Sequence, residues 1–494
     1  MPKLTPPSRR PEPLDDPHWA WQPYVPDEAR PWNLARAAHL YRRATCGGTW
    51  SELQRAVAEG PQATLDRLMT GGPNGDSFYA DNRRTMTSLL GFGDKKDLPA
   101  WWLFTMLATP HPLQERLALF WHGHFATSAA KVTDQNLMFA QNELLRKHAL
   151  GKFGDLLTAM MQDVAMLLWL DSAVNRKTRP NENFAREVME LFTLGTGHYT
   201  ERDIKEAARC FTGWEVHNNR FWFNRPQHDD GPKQVLGERG NFDGDQMVAL
   251  LLEQPACARF LVRKLFRFLI ADEPPVGDGD SATAQVAGTP NSTAVRPSDE
   301  FIEPLARQLR ESGYDIAGVV RTMLASNYFY SAAVAGRRIK GPVEFAVGLV
   351  RSLEGHVDHY ALADDLAALG QQVFYPPNVK GWNGGRDWIN AYTLLSRTNL
   401  VERLTAGSGR YERKLKLDEC PAPATVSPAD GASDPKDGRA LVERLCDLLL
   451  AVRPPDAVVA QLAKAAERRS GEDEWTRRGR TIYALASLPE FQLL

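Results

Sequence analysis

The stretch PNENFAREVMELFTLGTGHYTERD, residues 180–203, sets an amide and two carboxylates along one edge of a core-facing helix. At 100° per residue, Phe184, Val188, Leu191 and Phe192 form one apolar stripe, widened by Ala185 and Met189. Glu187 borders that stripe, and Asn183 and Glu190 stand just behind it. Such an edge could be a site, its carboxylates holding a divalent metal or acting as acid and base in hydrolysis. The pattern equally suits an ordinary helix wall. Glu182, Arg186 and Glu190 fall at i, i+4 and i+8, where ion pairs contribute about 0.2–0.5 kcal/mol each. Asn181 beside Pro180 is a natural N-cap, Gly195 and Gly197 end the helix, and Thr200 with Asp203 resembles a capping box for the next one.

Four other segments carry residues of chemical interest. In LQERLALFWHGHF, 113–125, Glu115 and His122 share a helix face and His124 projects from the turn after Gly123. Glu115, His122 and His124 make a plausible ligand set for zinc or iron, and a buried Glu–His or Glu–Arg hydrogen bond explains the same residues. In FWFNRPQHDDGPKQVLG, 221–237, His228 and Asp229 could orient a general base or ligate a metal, with Lys233 close behind; Asp-Asp-Gly-Pro is also strong turn chemistry. In DVAMLLWLD, 163–171, Asp163 and Asp171 read as capping carboxylates around a core helix. In FYPPNVKGWNGGRDW, 374–388, Trp382 and Trp388 stand among Asn378, Asn383 and Asp387, the mixture of flat apolar faces and polar groups that sugar or peptide recognition uses. A Trp-anchored Ω-loop is the structural alternative.

The elements that must position these groups are mostly helices. Amphipathic patterns recur over Trp50–Ala58, Gln62–Met69, Trp101–Leu107, Leu113–His122, Gln135–His148, Phe153–Asp163, Asn183–Leu194 and Glu201–Phe211, and resume over Gly244–Ile270. The clear strand signal is a hairpin, GWEVHNN and RFWFN around Asn218–Asn219. The expected fold is mainly α. It has a Pro-rich extended arm over 1–32, pinned by Trp19 and Trp21, and one large helical domain over 33–494. That domain carries a small β-hairpin and two long disordered insertions at about 271–300 and 406–438.

With 494 residues, 43% hydrophobic and 24% charged, the chain can bury a sizeable core. A net charge of −2 without a basic stripe points away from nucleic acid, and no apolar run approaches the roughly 20 residues of a membrane helix. The N-terminus has no apolar signal-like stretch, and the five cysteines follow no C-x-x-C pattern, so a reducing cytoplasm is the expected location. G-x-S-x-G, the P-loop, the Rossmann fingerprint and H-E-x-x-H are all missing.

In order along the chain, AAHLYRRATCG, ERLALFWHGHF, DVAMLLWLD, PNENFAREVMELFTLGTGHYTERD, AARCFTGW, HDDGPKQVLG, IKGPVEF, FYPPNVKGWNGGRDW and LPEFQ resemble the bacterial domain-of-unknown-function family 1800. The resemblance spans about residue 33 to the C-terminus. It implies a mostly helical architecture, frequent export, and frequent pairing with a second protein of the sulfatase/phosphatase-like class. It assigns no catalytic residue; Glu115, His122, His124, Asn183, Glu187, Glu190, His228, Asp229 and Lys233 simply stand inside the shared motifs.

The leading expectation is therefore an enzyme acting on a small molecule. Its pocket would join Glu115, His122 and His124 to Asn183, Glu187 and Glu190 and to His228, Asp229 and Lys233, for metal-assisted or acid–base hydrolysis. The rival is a non-enzymatic scaffold that grips a glycan or protein partner through Trp214, Trp382 and Trp388. A third reading is haem held by an axial His.

Overall fold

The computed structural model describes residues 12–272, 299–419 and 438–494. These are mostly helix, with two small antiparallel strand pairs, as the hydrophobic periodicity predicts. No helix among the described residues is long and apolar enough to cross a membrane.

Two helices are buried on nearly every side and act as the axles of the fold. Pro112–His124 starts with Pro at its first position, where a missing N–H costs nothing, and packs against Leu34–Thr45, Asp97–Ala108 and Gln135–Lys147. Pro342–Leu353 is buried along its whole length. Such helices have no solvated face for charges, so their Glu residues must find cations inside. Glu344 does so: it accepts hydrogen bonds from the guanidiniums of Arg116 and Arg338 and from the Gly341 N–H at 2.6 Å.

The hairpin pairs Trp214–His217 with Arg220–Phe223, Trp214 opposite Phe223. Asn218 and Asn219 both take positive φ, 49° and 55°, which a type I′ turn requires. A second pair, Lys233–Val235 with Glu238–Gly240, turns at Leu236–Gly237 in the same left-handed way; its three-residue strands are too short to show alternation in the sequence.

Three expectations need correction. The helix anticipated over Asn183–Leu194 is α-helical only over Glu182–Glu187 and continues as a π-helical turn over Val188–Thr193. There the Leu194 N–H reaches the Met189 carbonyl at 2.8 Å, and the Thr193 hydroxyl donates to the Val188 carbonyl at 2.7 Å. The N-terminal arm, anchored where the Trp21 indole donates to the Phe301 carbonyl at 2.7 Å, is not extended throughout from residue 12 onward: Pro17–Ala20 form a short helix. Of the two expected insertions, 273–298 and 420–437 lie outside the described residues. The described part, 407–419, is packed: Tyr411 and Leu415 are buried, and the Trp475 indole donates to the Leu415 carbonyl at 3.2 Å.

Candidate functional site

Glu115, His122 and His124 leave their helix toward three different sets of partners. Glu115 is held by the Arg146 guanidinium through both carboxylate oxygens and accepts from the Trp102 indole at 2.9 Å. His122 lies among aromatic rings, with Trp102 at 5.1 Å, Phe374 at 5.4 Å and Trp382 at 5.7 Å between centroids. Its Nε2 accepts from the Phe374 N–H at 3.0 Å, so in the neutral ring Nδ1 carries the proton. Burial drives the proton affinity of His122 down to about 3, which keeps it neutral. His124 donates from Nε2 to the Phe192 carbonyl at 3.1 Å and accepts at Nδ1 from Lys264 Nζ at 3.1 Å.

The expected metal centre of Glu115, His122 and His124 is thus not assembled. Among the described residues no group of three or more His, Cys, Asp or Glu side chains is placed to hold a metal ion. The axial-haem expectation fares no better at these two histidines, because neither ring presents a free lone pair. The reason is the helix itself: buried on all sides, it sends each polar side chain to whichever neighbour lies opposite.

What His124 does is hold the π-helical turn. That turn leaves successive carbonyls, Leu191 and Phe192, pointing off the helix; Lys264 donates to the first at 3.3 Å and His124 to the second. Lys264 sits over the Phe260 ring at 5.0 Å, and burial, with Arg267 nearby, lowers its proton affinity to about 7. The sequence does carry a signal for Lys264. On a helical projection of Pro255–Leu269 it borders the apolar stripe of Cys257, Leu261 and Leu265, where a cation needs a partner.

The HDDGPK segment forms its own closed knot. Asp229 takes both arms of Arg209, at 2.7 and 3.2 Å, and this charge-assisted pair holds its carboxyl below the usual range. Lys233 is buried and donates to the carbonyls of Asp229 at 2.6 Å and Gly231 at 3.3 Å and to Asn241 at 3.3 Å. His228 donates from Nδ1 to the Thr212 carbonyl at 2.8 Å. Asp229 and Lys233 are thereby spent on the fold of this loop, and neither shares a contact with Glu187 or Glu190. Asp163 caps its helix as expected, with the Met166 N–H at 2.9 Å; its burial raises the carboxyl to about 6. Asp171 instead adopts a left-handed φ of 56° and pairs with Lys131.

The segments that do meet are the 374–388 loop, the end of the Pro112–His124 helix and the 182–193 helix. Gly381 lies against the chain at Gly123: a Cβ there would sit 2.5 Å from the Gly123 carbonyl oxygen, and φ is +76°, so only glycine fits. This contact lays Trp382 against His122 and brings Lys380 within electrostatic range of Glu187. Glu187 is half-buried and makes no hydrogen bond or salt bridge among the described residues; burial, and then the Glu190 carboxylate, raise its proton affinity. Glu190 accepts from the Tyr199 hydroxyl at 2.9 Å. Asn183 is exposed at the start of this helix. Trp388, half-buried, borders the approach to Gly341 through its indole nitrogen. Trp214 is buried at 3% exposure against Phe211 and Phe221, so it cannot belong to an open aromatic groove. Tyr199 and Lys380 escaped the sequence reading because nothing in their local pattern marks them; only the loop contact brings them in.

No curated protein and no solved structure matches the chain. A family model described as a protein of unknown function (DUF1800) matches residues 39–493, from the middle of the Leu34–Thr45 helix nearly to the end, and takes in every segment that builds this site. The chain therefore belongs to the DUF1800 family.

Proposed function

We propose that the surface of Glu187, Glu190, Tyr199, Lys380 and Trp382 is a hydrolytic site working by acid–base chemistry. Glu187 is its proton-bearing acid and Glu190 the neighbouring carboxyl. The observation that carries this reading is Glu187 itself. A half-buried carboxyl with no hydrogen bond or salt bridge among the described residues, its proton affinity raised by burial and by a second carboxylate, keeps its proton to higher pH than an ordinary glutamate and is placed to give it up. Three positions apart on one helix, the two carboxyls have Cβ atoms only ~5–6 Å from each other, close enough that ionising one opposes ionising the other. The Tyr199 hydroxyl donates to Glu190, which leaves Glu187 as the member of the pair without a hydrogen bond among the described residues. Trp382, two residues beyond the Lys380 that acts on Glu187, offers a flat apolar ring on the same loop, which favours a substrate with a sugar ring and a glycosidic bond. The metal-assisted version is set aside, since its intended ligands are engaged elsewhere.

The test is a hydrolysis screen of glycosides, esters, amides and phosphoesters with the wild-type chain, Glu187→Gln and Glu190→Gln. Loss of a general acid lowers the rate about 10²–10⁴-fold. Glu187→Gln should also remove the decline of rate at rising pH, which the deprotonation of Glu187 produces. A wild-type chain that cleaves none of these bonds, or a Glu187→Gln variant at full rate, would overturn the proposal.

One observation favours a binding scaffold as the second reading. Just beyond Trp388, Tyr392 and Leu395 are 65% and 60% exposed, an apolar surface larger than isolated side chains need. A glycan or protein bound equally well by wild type and Glu187→Gln, without turnover, would favour it.

A further inference from the structure

A second site lies away from the acid pair, where the Leu34–Thr45 and Pro342–Leu353 helices and the C-terminal residues meet. A narrow crevice is lined there by Arg42, Lys340, Cys46, Glu344, Ser352 and Phe491, among others. Its two free cations are unusual. Lys340 is 95% buried, since only 5% of it is exposed, and its Nζ lies 4.0 Å above the Phe491 ring. Among the described residues that nitrogen makes no hydrogen bond and no salt bridge. Arg42 is equally buried; its Nε has no partner, and its Nη1 makes one long bond, 3.4 Å, to the Leu448 carbonyl.

The surroundings deepen the imbalance. Arg43 and Arg397 are fully buried nearby, and each leaves guanidinium nitrogens without partners. Glu344, the carboxylate on the crevice wall, is consumed by Arg116, Arg338 and the Gly341 N–H. Asp447 is near enough to act on Arg42 electrostatically but makes no salt bridge with it. The Cys46 thiol is buried and held neutral, so it supplies no charge. Burial, with Arg42 and Arg397 nearby, lowers the proton affinity of Lys340 well below the usual range, and an anion seated beside it would favour the ammonium again.

We propose that this crevice binds a small oxyanion, with Lys340 as the point charge and Arg42 as the forked donor. The chemical class is phosphate. An Arg from the Leu34–Thr45 helix and a Lys from the segment just before the Pro342–Leu353 helix match a tetrahedral ion with several acceptor oxygens, and the narrowness of the crevice favours the free ion over a bulky phosphate ester. This site is separate from Glu187 and stands or falls independently of the hydrolytic proposal.

The experiment is calorimetric titration of the full chain with inorganic phosphate in a phosphate-free buffer at fixed ionic strength, repeated with glycerol phosphate. Lys340→Met is the informative variant, because it removes a buried, unpaired charge and should fold at least as well as wild type. Wild type should bind phosphate saturably and gain a few degrees of Tm at concentrations about a hundredfold above Kd. Lys340→Met should start from an equal or higher Tm, gain less from phosphate than wild type does, and bind about tenfold or more weakly. Arg42→Gln should weaken binding in the same direction. Tight binding of glycerol phosphate would extend the site to phosphate esters and still support it. No saturable phosphate binding by wild type, or unchanged affinity in Lys340→Met, would overturn the inference.

Discussion

Glu344→Gln is the sharpest test of how the interior is held together. The carboxylate is buried between Arg116 and Arg338, with its second oxygen on the Gly341 N–H. Burial alone would raise its proton affinity, but the two guanidiniums and the backbone donor bring it from 4.5 down to about 2. A depression of that size corresponds to a contribution on the order of 3 kcal/mol at neutral pH. Breaking a buried ion pair by removing one partner typically costs about 3–5 kcal/mol, so two independent routes agree. The sign follows from the depressed value: the contribution is complete above the unfolded-state pKa near 4.5 and is lost as pH falls toward 2. Urea unfolding of wild type and Glu344→Gln should therefore differ by about 3 kcal/mol at pH 7. That gap should shrink steadily below pH 4.5, because wild type then loses the same charge. Other carboxylates titrate in both chains and cancel in the difference. A gap under about 1 kcal/mol at pH 7, or one that stays constant on acidification, would refute the account of Glu344 as the neutralising centre of this cation cluster.

Gly381→Ala should cost roughly 2–3 kcal/mol, through its left-handed φ and its contact with the Gly123 carbonyl, and should depress hydrolysis along with Tm; wild-type melting would show the loop contact to be dispensable. For Lys264, whose folded-state value is lowered to about 7, the unfolded chain holds more protons up to about pH 10.5. Stability should accordingly rise with pH across that window in wild type relative to Lys264→Met, and melting curves showing a flat difference would contradict this. Asp229→Asn should lower stability by about 1–2 kcal/mol through loss of the Arg209 pair and leave turnover at Glu187 unaltered, as steady-state rates can check.

Local order was well written in the sequence because it depends on neighbours. The Trp50–Glu59 helix begins at a Thr49/Glu52 capping box, and the Asn218–Asn219 turn sits where two residues tolerate left-handed backbone. The Gly75–Leu90 helix was overlooked because it shows only a weak apolar stripe, with Asn82 and Met86 its buried residues. The π-helical turn was invisible for a different reason: its cause lies in Lys264 and His124, which reach it from other helices. The metal expectation failed on direction. Spacing put Glu115 and His122 on one face, but it could not say that Arg146 and the Phe374 backbone would be waiting there. The carboxylate edge was legible as residues, and its electrostatics were not, since Lys380 comes from a loop nearly two hundred positions away.

The bond between His122 and the Phe374 N–H has a consequence for how the protein is made. It spans 252 positions of sequence, and the Arg43 contact with the Leu494 carbonyl spans 451. A chain emerging N-terminus first exposes the Pro112–His124 helix long before the segment that covers His122 exists. Until the 374–388 loop arrives, that face is an open aromatic patch, and Lys380 has yet to reach the neighbourhood of Glu187. Synthesis thus imposes a waiting period on the region proposed as the hydrolytic site, and the nascent chain must pass through it with the aromatic surroundings of His122 uncovered.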